Sequence, residues 1–187
     1  MRWLPHFLTA LRLLASPLLV WLLLESRFEA ALVVVGIAGA TDWFDGYAAR
    51  RLGVTGQLGV VFDPLADKVL LVTLFLALGA IHLVPLWLLL MVLGRDAVIV
   101  VGALLLRLFR NARQFIPTFL GKVSTFFQIT LVLLVLIEAS FPNEWFLLLE
   151  NSAVVLCVIF TVLSWLEYLR LGIRMTKATA PQGPSAK

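Results

Sequence analysis

Four aspartates, Asp42, Asp45, Asp63 and Asp67, lie in the stretch TDWFDGYAARRLGVTGQLGVVFDPLADK, which runs from Thr41 to Lys68 inside otherwise apolar sequence. A charged residue at the centre of a membrane helix costs about 2.5–3.5 kcal/mol on insertion scales, so four carboxylates facing lipid would cost roughly 10–14 kcal/mol. They must instead face one another, a cavity or a cation. At about 100° per residue in a helix, Asp45, Gly46, Ala49 and Arg50 all fall within about 80° of Asp42, on one face. Gly59, Asp63 and Asp67 recur at four-residue intervals and stack along one face of the next helix. The intervening loop RLGVTGQL is short enough to hold the two faces together. Oxygen-only ligation suits hard divalent cations such as Mg²⁺ or Mn²⁺, and two such ions match the charge of four aspartates. Paired metals of this kind recur in phosphoryl transfer. Gly46, Ala49 and Gly59 leave room for a nucleotide against the backbone, and Arg50 adds a cation for phosphate.

The elements that position these residues follow from composition. Of 187 residues 61% are hydrophobic and 14% charged, and mean hydropathy is +1.02, outside the range of a soluble domain. The expectation is an integral membrane protein with a single catalytic domain over residues 1–175 and a disordered tail over 176–187. The lone cysteine, Cys157, permits neither a disulfide nor a Cys-based zinc site within the chain and reads as a small core residue. His6 and His82 offer no catalytic pair, and the tryptophans fit an aromatic belt.

A spanning helix needs about 20 apolar residues. Six runs qualify: Phe7–Leu24, Ala30–Ala49, Gly59–Leu83, Pro85–Leu106, Phe119–Phe141 and Trp145–Leu171. The predicted fold is therefore all-α, a bundle of six transmembrane helices. With the N-terminus inside, Arg2, Arg12, Arg50, Arg51, Arg107, Arg110, Arg113, Lys122, Arg170, Arg174, Lys177 and Lys187 fall at or near the cytoplasmic side, and only Arg27 lies outside. Both termini are expected in the cytoplasm. This basic excess obeys membrane topology, so no nucleic-acid partner is expected. Asp42, Asp67 and Arg95 then lie roughly 13–18 Å from the cytoplasmic ends of their runs, in one charged layer opening to the cytoplasm.

Some aspartates could instead pair with Lys68 and Arg95 as a structural cluster, but four acids and two bases leave charge unmatched. Lys68 sits about 100° round the helix from Asp67, which points it into a neighbouring interface.

The pattern Asp42-x₂-Asp45-Gly46-x₂-Ala49-Arg50-x₈-Gly59-x₃-Asp63-x₃-Asp67 resembles, without departure, the signature of the CDP-alcohol phosphatidyltransferases. The resemblance extends from PHFLTALR through DPLADK to FLGKVST, and is similar to phosphatidylglycerophosphate synthases and cardiolipin synthases. It implies a six-helix membrane enzyme, usually a homodimer, that moves a phosphatidyl group from CDP-diacylglycerol to an alcohol and releases CMP. Carried over by position, Asp42, Asp45 and Asp63 would ligate two divalent cations, with Asp67 completing the set and serving as general base. Gly46, Ala49 and Arg50 would contact the CDP part, with Gly59 beside them and Thr55 a weaker candidate. A bacterial plasma membrane is the expected location.

The acceptor needs a second set of contacts, for which Thr9, Arg12, Arg95, Lys122 and Thr125 are the candidates. Their cations suit an acceptor bearing a phosphate, such as glycerol 3-phosphate or phosphatidylglycerol. Arg12 and Lys122 also read as snorkelling anchors. Two departures bear on the choice: phosphatidylglycerophosphate synthases commonly have Arg-Glu where this chain has Arg95-Asp96, and the family's Asn before Leu-Thr is His6 here. Glycerol 3-phosphate leads, with cardiolipin synthesis from phosphatidylglycerol as the alternative.

Two other classes use intramembrane carboxylates. A cation transporter would distribute its acids through both halves of the membrane, whereas these gather in the cytoplasmic half. A polyprenyl-diphosphate transferase would show two separated Asp-rich motifs and more helices than this chain supplies.

Overall fold

A computed structural model describes residues 4–52, 59–110 and 118–177, with side chains described for 14–41, 68–102 and 118–171. Six helices and no strands occur among them: α1 (Leu4–Leu24), α2 (Phe28–Leu52), α3 (Gly59–Ala80), α4 (Leu86–Arg110), α5 (Phe119–Ser140) and α6 (Glu144–Lys177). Each apolar run becomes one helix, and the all-α expectation holds. Several helices outlast their runs. α2 continues past Ala49 through Arg50 to Leu52, and α6 reaches Lys177, just past the expected domain boundary.

Helix reversals are tight because two ends adopt left-handed backbone. Ser26 (φ 56°) closes α1, with Arg27 N–H donating to Leu22 O at 2.8 Å and Ser26 N–H to Leu23 O at 3.0 Å. His82 (φ 61°) closes α3 in the same way, with Leu83 N–H on Leu78 O at 3.0 Å and His82 N–H on Gly79 O at 3.2 Å. These are the paired bonds of a Schellman end, made here without glycine. His82 thus terminates a helix, a role its residue type did not suggest.

α5 lies along α6 in the most extensive helix pair, followed by α1 along α3. α1 and α5 each touch both α2 and α3, which do not touch each other among the described residues. Residues 28–41 and 68–80 are therefore held apart by α1 and α5. The apolar core is built from Leu19 and Leu23 of α1, Phe75 and Leu78 of α3, Leu88 and Val92 of α4, and Leu131 and Leu136 of α5, all essentially inaccessible. Cys157 is fully buried against this core, as a small core residue should be.

The outside of the bundle is apolar as well. Trp21, Ile37, Leu90, Val98, Phe126, Ile159 and Leu166, from five different helices, are all exposed. Contiguous apolar surface on that scale marks contact with lipid or protein. Among the described residues α5 (22 residues, mean hydropathy 2.0) and residues Glu144–Leu171 of α6 (28 residues, 2.3) are long and apolar enough to cross a membrane. The 34 residues of α6 extend about 51 Å, beyond a hydrocarbon layer of about 30 Å.

Candidate active site

The signature residues fall on two helices. Asp42, Asp45, Gly46, Ala49 and Arg50 occupy the C-terminal half of α2, and Gly59, Asp63 and Asp67 the first turns of α3. Continuous helical backbone at these positions is what the one-face readings of their spacing require. Their side chains lie outside the described residues, as do those of Thr9 and Arg12 on α1, and Thr55 lies outside altogether. Among the described residues no three His, Cys, Asp or Glu side chains converge to hold a metal ion. The chain's fit to divalent cations rests on the donor set itself: carboxylates alone, in i, i+3 and i, i+4 pairs on helical backbone.

Directly after Asp67, where described side chains resume, stands a charged cluster whose Arg95 and Asp96 are buried. Lys68 of α3 forms an ion pair with Asp96 Oδ1 of α4. The same oxygen accepts from Arg95 Nη1 at 2.9 Å. Lys68 thus points into the α3–α4 interface, as its offset from Asp67 indicated. Arg95 is only 3% exposed and Asp96 5%. Arg95 spends its remaining donors across the bundle: Nε and Nη2 donate to Ser164 Oγ of α6 at 3.2 and 3.1 Å, and Nη2 donates to Gly121 O of α5 at 3.0 Å. Two cations share one carboxylate, so the cluster carries net positive charge. In a low-dielectric interior such a cluster depends on its hydrogen bonds: Arg95 uses every nitrogen, while Asp96 relies on Oδ1.

The start of α5 is built to meet Arg95. Thr118 is the N-cap, in extended backbone, and its hydroxyl accepts from Gly121 N–H at 3.1 Å. Gly121 O receives Thr125 Oγ1 at 3.1 Å as well as Arg95. Lys122, the next residue, is exposed, while Thr125 is half-buried. Of the acceptor candidates, then, the structure brings Arg95, Lys122 and Thr125 to one helix end. A Cβ on Gly121 would stand 2.9 Å from Tyr168 Oη, 3.0 Å from Thr118 Oγ1 and 3.2 Å from Arg95 Nη2. Gly121→Ala is therefore expected to destabilise the protein by about 1–2 kcal/mol, overpacking outweighing the better helix propensity of alanine. A raised unfolding midpoint in that variant would contradict the tight approach.

The α5–α6 seam continues this polar strip. Ser124 Oγ and Thr161 Oγ1 lie 3.2 Å apart, Gln128 is fully buried, and Phe127 stacks on Phe160 with centroids 4.6 Å apart. Sequence reasoning missed Ser164, Thr161 and Gln128. Their signal was the spacing of small and polar residues at 157, 161 and 164, opposite 121, 124 and 128, the pattern of close helix packing in membranes.

Residues 2–166 match the model of the family described as CDP-alcohol phosphatidyltransferase. The chain belongs to the CDP-alcohol phosphatidyltransferase family. Among its relatives is the CDP-diacylglycerol--glycerol-3-phosphate 3-phosphatidyltransferase of Aquifex aeolicus (strain VF5), 32% identical over 178 residues, which span 91% of this chain and 96% of that protein. The cardiolipin synthase (CMP-forming) of Streptomyces coelicolor is 35% identical over 132 residues, 65% of this chain and 59% of that one. The Homo sapiens cardiolipin synthase (CMP-forming) is 34% identical over 145 residues, 68% of this chain and 48% of its own length. Membership in this family makes the chain a membrane-associated transferase of phospholipid synthesis.

Proposed function

We propose that this chain transfers the phosphatidyl group of CDP-diacylglycerol to the hydroxyl of glycerol 3-phosphate, forming phosphatidylglycerophosphate and releasing CMP. The observation that carries the reading is the near end-to-end match to the Aquifex transferase, together with the unbroken eight-position signature. The cardiolipin synthases match shorter stretches but with slightly higher identity, and Arg95-Asp96 resembles them at least as much. Phosphatidylglycerol as acceptor is therefore the second reading.

Asp42, Asp45, Asp63 and Asp67 would hold two divalent cations, Mg²⁺ or Mn²⁺, which when bound offset charge on the diphosphate and on departing CMP. Asp67 takes the proton from the acceptor hydroxyl as its oxygen attacks the phosphatidyl phosphorus and the bond to the CMP oxygen breaks. Gly46, Ala49 and Gly59 leave space for the cytidine diphosphate, with Arg50, and Thr55 more peripherally, beside its phosphates. Thr9, Arg12, Lys122 and Thr125 gather the acceptor, and exposed Lys122 is the cation best placed to meet a phosphate directly. Arg95, buried and fully bonded, contributes positive potential and holds the α5 start. All six helices cross the bilayer with both termini in the cytoplasm, where the site opens, in a bacterial plasma membrane; the enzyme works as a homodimer.

Purified protein given CDP-diacylglycerol, Mg²⁺ or Mn²⁺, and each acceptor in turn decides the function, with mass spectrometry of the lipid product. Phosphatidylglycerophosphate is expected; cardiolipin would establish the second reading, and absence of CMP release with every acceptor would overturn both. Lys122→Ala is expected to raise the acceptor KM about tenfold, the loss of one charge-assisted bond, with the CDP-diacylglycerol KM little changed. Equal rises in both would remove Lys122 from the acceptor site.

A further inference from the structure

Lys68 directly follows Asp67 on α3, and Lys122 directly follows Gly121 on α5. Between these two neighbours runs one unbroken chain of contacts, starting at partly exposed Lys68 and buried from Asp96 onward. Lys68 pairs with Asp96 Oδ1, the same oxygen accepts from Arg95 Nη1 at 2.9 Å, and Arg95 Nη2 donates to Gly121 O at 3.0 Å. Ser164 of α6 fixes the guanidinium from its other side through bonds of 3.2 and 3.1 Å. Asp96 Oδ2 is buried with no hydrogen-bond partner among the described residues, so Oδ1 carries all the described bonding of this carboxylate.

We propose that Asp96 is a positioning residue: by holding Lys68 and Arg95 on one oxygen, it locks the metal-side helix α3 to the acceptor-side start of α5. The proposal rests on the transferase reading above. Core packing through Phe75 and Leu78 holds α3 in place but is non-directional, so a small axial rotation or slide is opposed far more strongly by the directional ion pair. Such a shift would displace Asp67, about 100° round α3 from Lys68. The ion pair removes that freedom. It thereby fixes the reacting hydroxyl, held from α5, against the base on α3. Misplacement of about 1 Å is enough to cost on the order of 10²-fold in rate.

The test uses the full-length enzyme with CDP-diacylglycerol, Mn²⁺ and glycerol 3-phosphate, measuring kcat, both KM values and the unfolding midpoint. Asp96→Asn keeps the shape and an accepting oxygen but removes the charge. Its kcat is expected to fall about 10- to 100-fold per folded enzyme, with both KM values within about threefold of wild type. Asp96→Glu, which restores the charge, is expected to recover most of the rate. Lys68→Met, at a partly exposed position that tolerates change, gives the same kcat loss even where Asp96→Asn fails to fold. The double variant should then be little worse than either single one, because both remove one coupling. Wild-type kcat in Asp96→Asn or Lys68→Met overturns the proposal while the transferase reading stands. A rise in the glycerol 3-phosphate KM alone also overturns it, making Asp96 an acceptor-binding group. Wild-type enzyme that releases no CMP with any acceptor overturns the transferase reading itself, and the proposal with it.

Discussion

Asp67→Asn is expected to lower turnover by about 10²–10⁴-fold while CDP-diacylglycerol still binds. Asparagine has the size of aspartate and keeps one oxygen that can face a cation, so the donor pocket retains its shape. What it lacks is a second oxygen able to take a proton. The acceptor hydroxyl would then attack still protonated, and the barrier rises by the full value of general-base assistance. The readout is CMP release under saturating substrates, set beside equilibrium binding of CDP-diacylglycerol. Loss of binding in step with turnover would make Asp67 a metal ligand first and a base second. Near-normal turnover would remove it from the chemistry.

Replacing Arg95 by leucine is expected to cost about 3–5 kcal/mol of stability. Arg95 is 3% exposed and bonds Asp96, Ser164 and Gly121, which lie on three different helices. Removing it strips Ser164 and the Gly121 carbonyl of a donor and leaves Asp96 with Lys68 alone. Lysine at the same position keeps the charge but lacks the planar fork, so Arg95→Lys should recover only part of the loss. Lys122→Ala, at an exposed site one residue from Gly121, provides the control and should leave the unfolding midpoint almost unchanged. An Arg95→Leu protein as stable as wild type would mean that the four bonds contribute no net stability.

The helices were legible because a long apolar run, wherever water is excluded, must bond its backbone internally and so becomes a helix. Helical backbone also runs on through Asp42, Asp45 and Arg50 of α2, where residue type alone would have ended it. The helical backbone under the donor residues was legible, and carboxylate spacing on such backbone fixes which face they share. Lys68 was legible in the same way, since its offset from Asp67 follows from helical geometry. Ser164 was not. It lies 69 residues from Arg95, and a serine in an apolar helix ordinarily satisfies itself on its own backbone, so nothing local marks a long-range partner. Nor does any local pattern say that α1 and α5 separate residues 28–41 of α2 from 68–80 of α3. Helix order in a bundle is set by which side chains interlock, and six similar Leu- and Val-rich faces carry little of that information.

The bonds of Arg95 also bear on how the chain is made. Its partners Gly121 and Ser164 belong to α5 and α6, which leave the ribosome after α4. During synthesis α4 must therefore emerge with a guanidinium whose final acceptors do not yet exist. Asp96, the next residue, travels with it as a counter-ion, and Lys68 is already present on the preceding helix. The pair thus serves as a travelling companion for a charge in transit, and assembly is completed only when the last helix docks and Ser164 reaches the arginine.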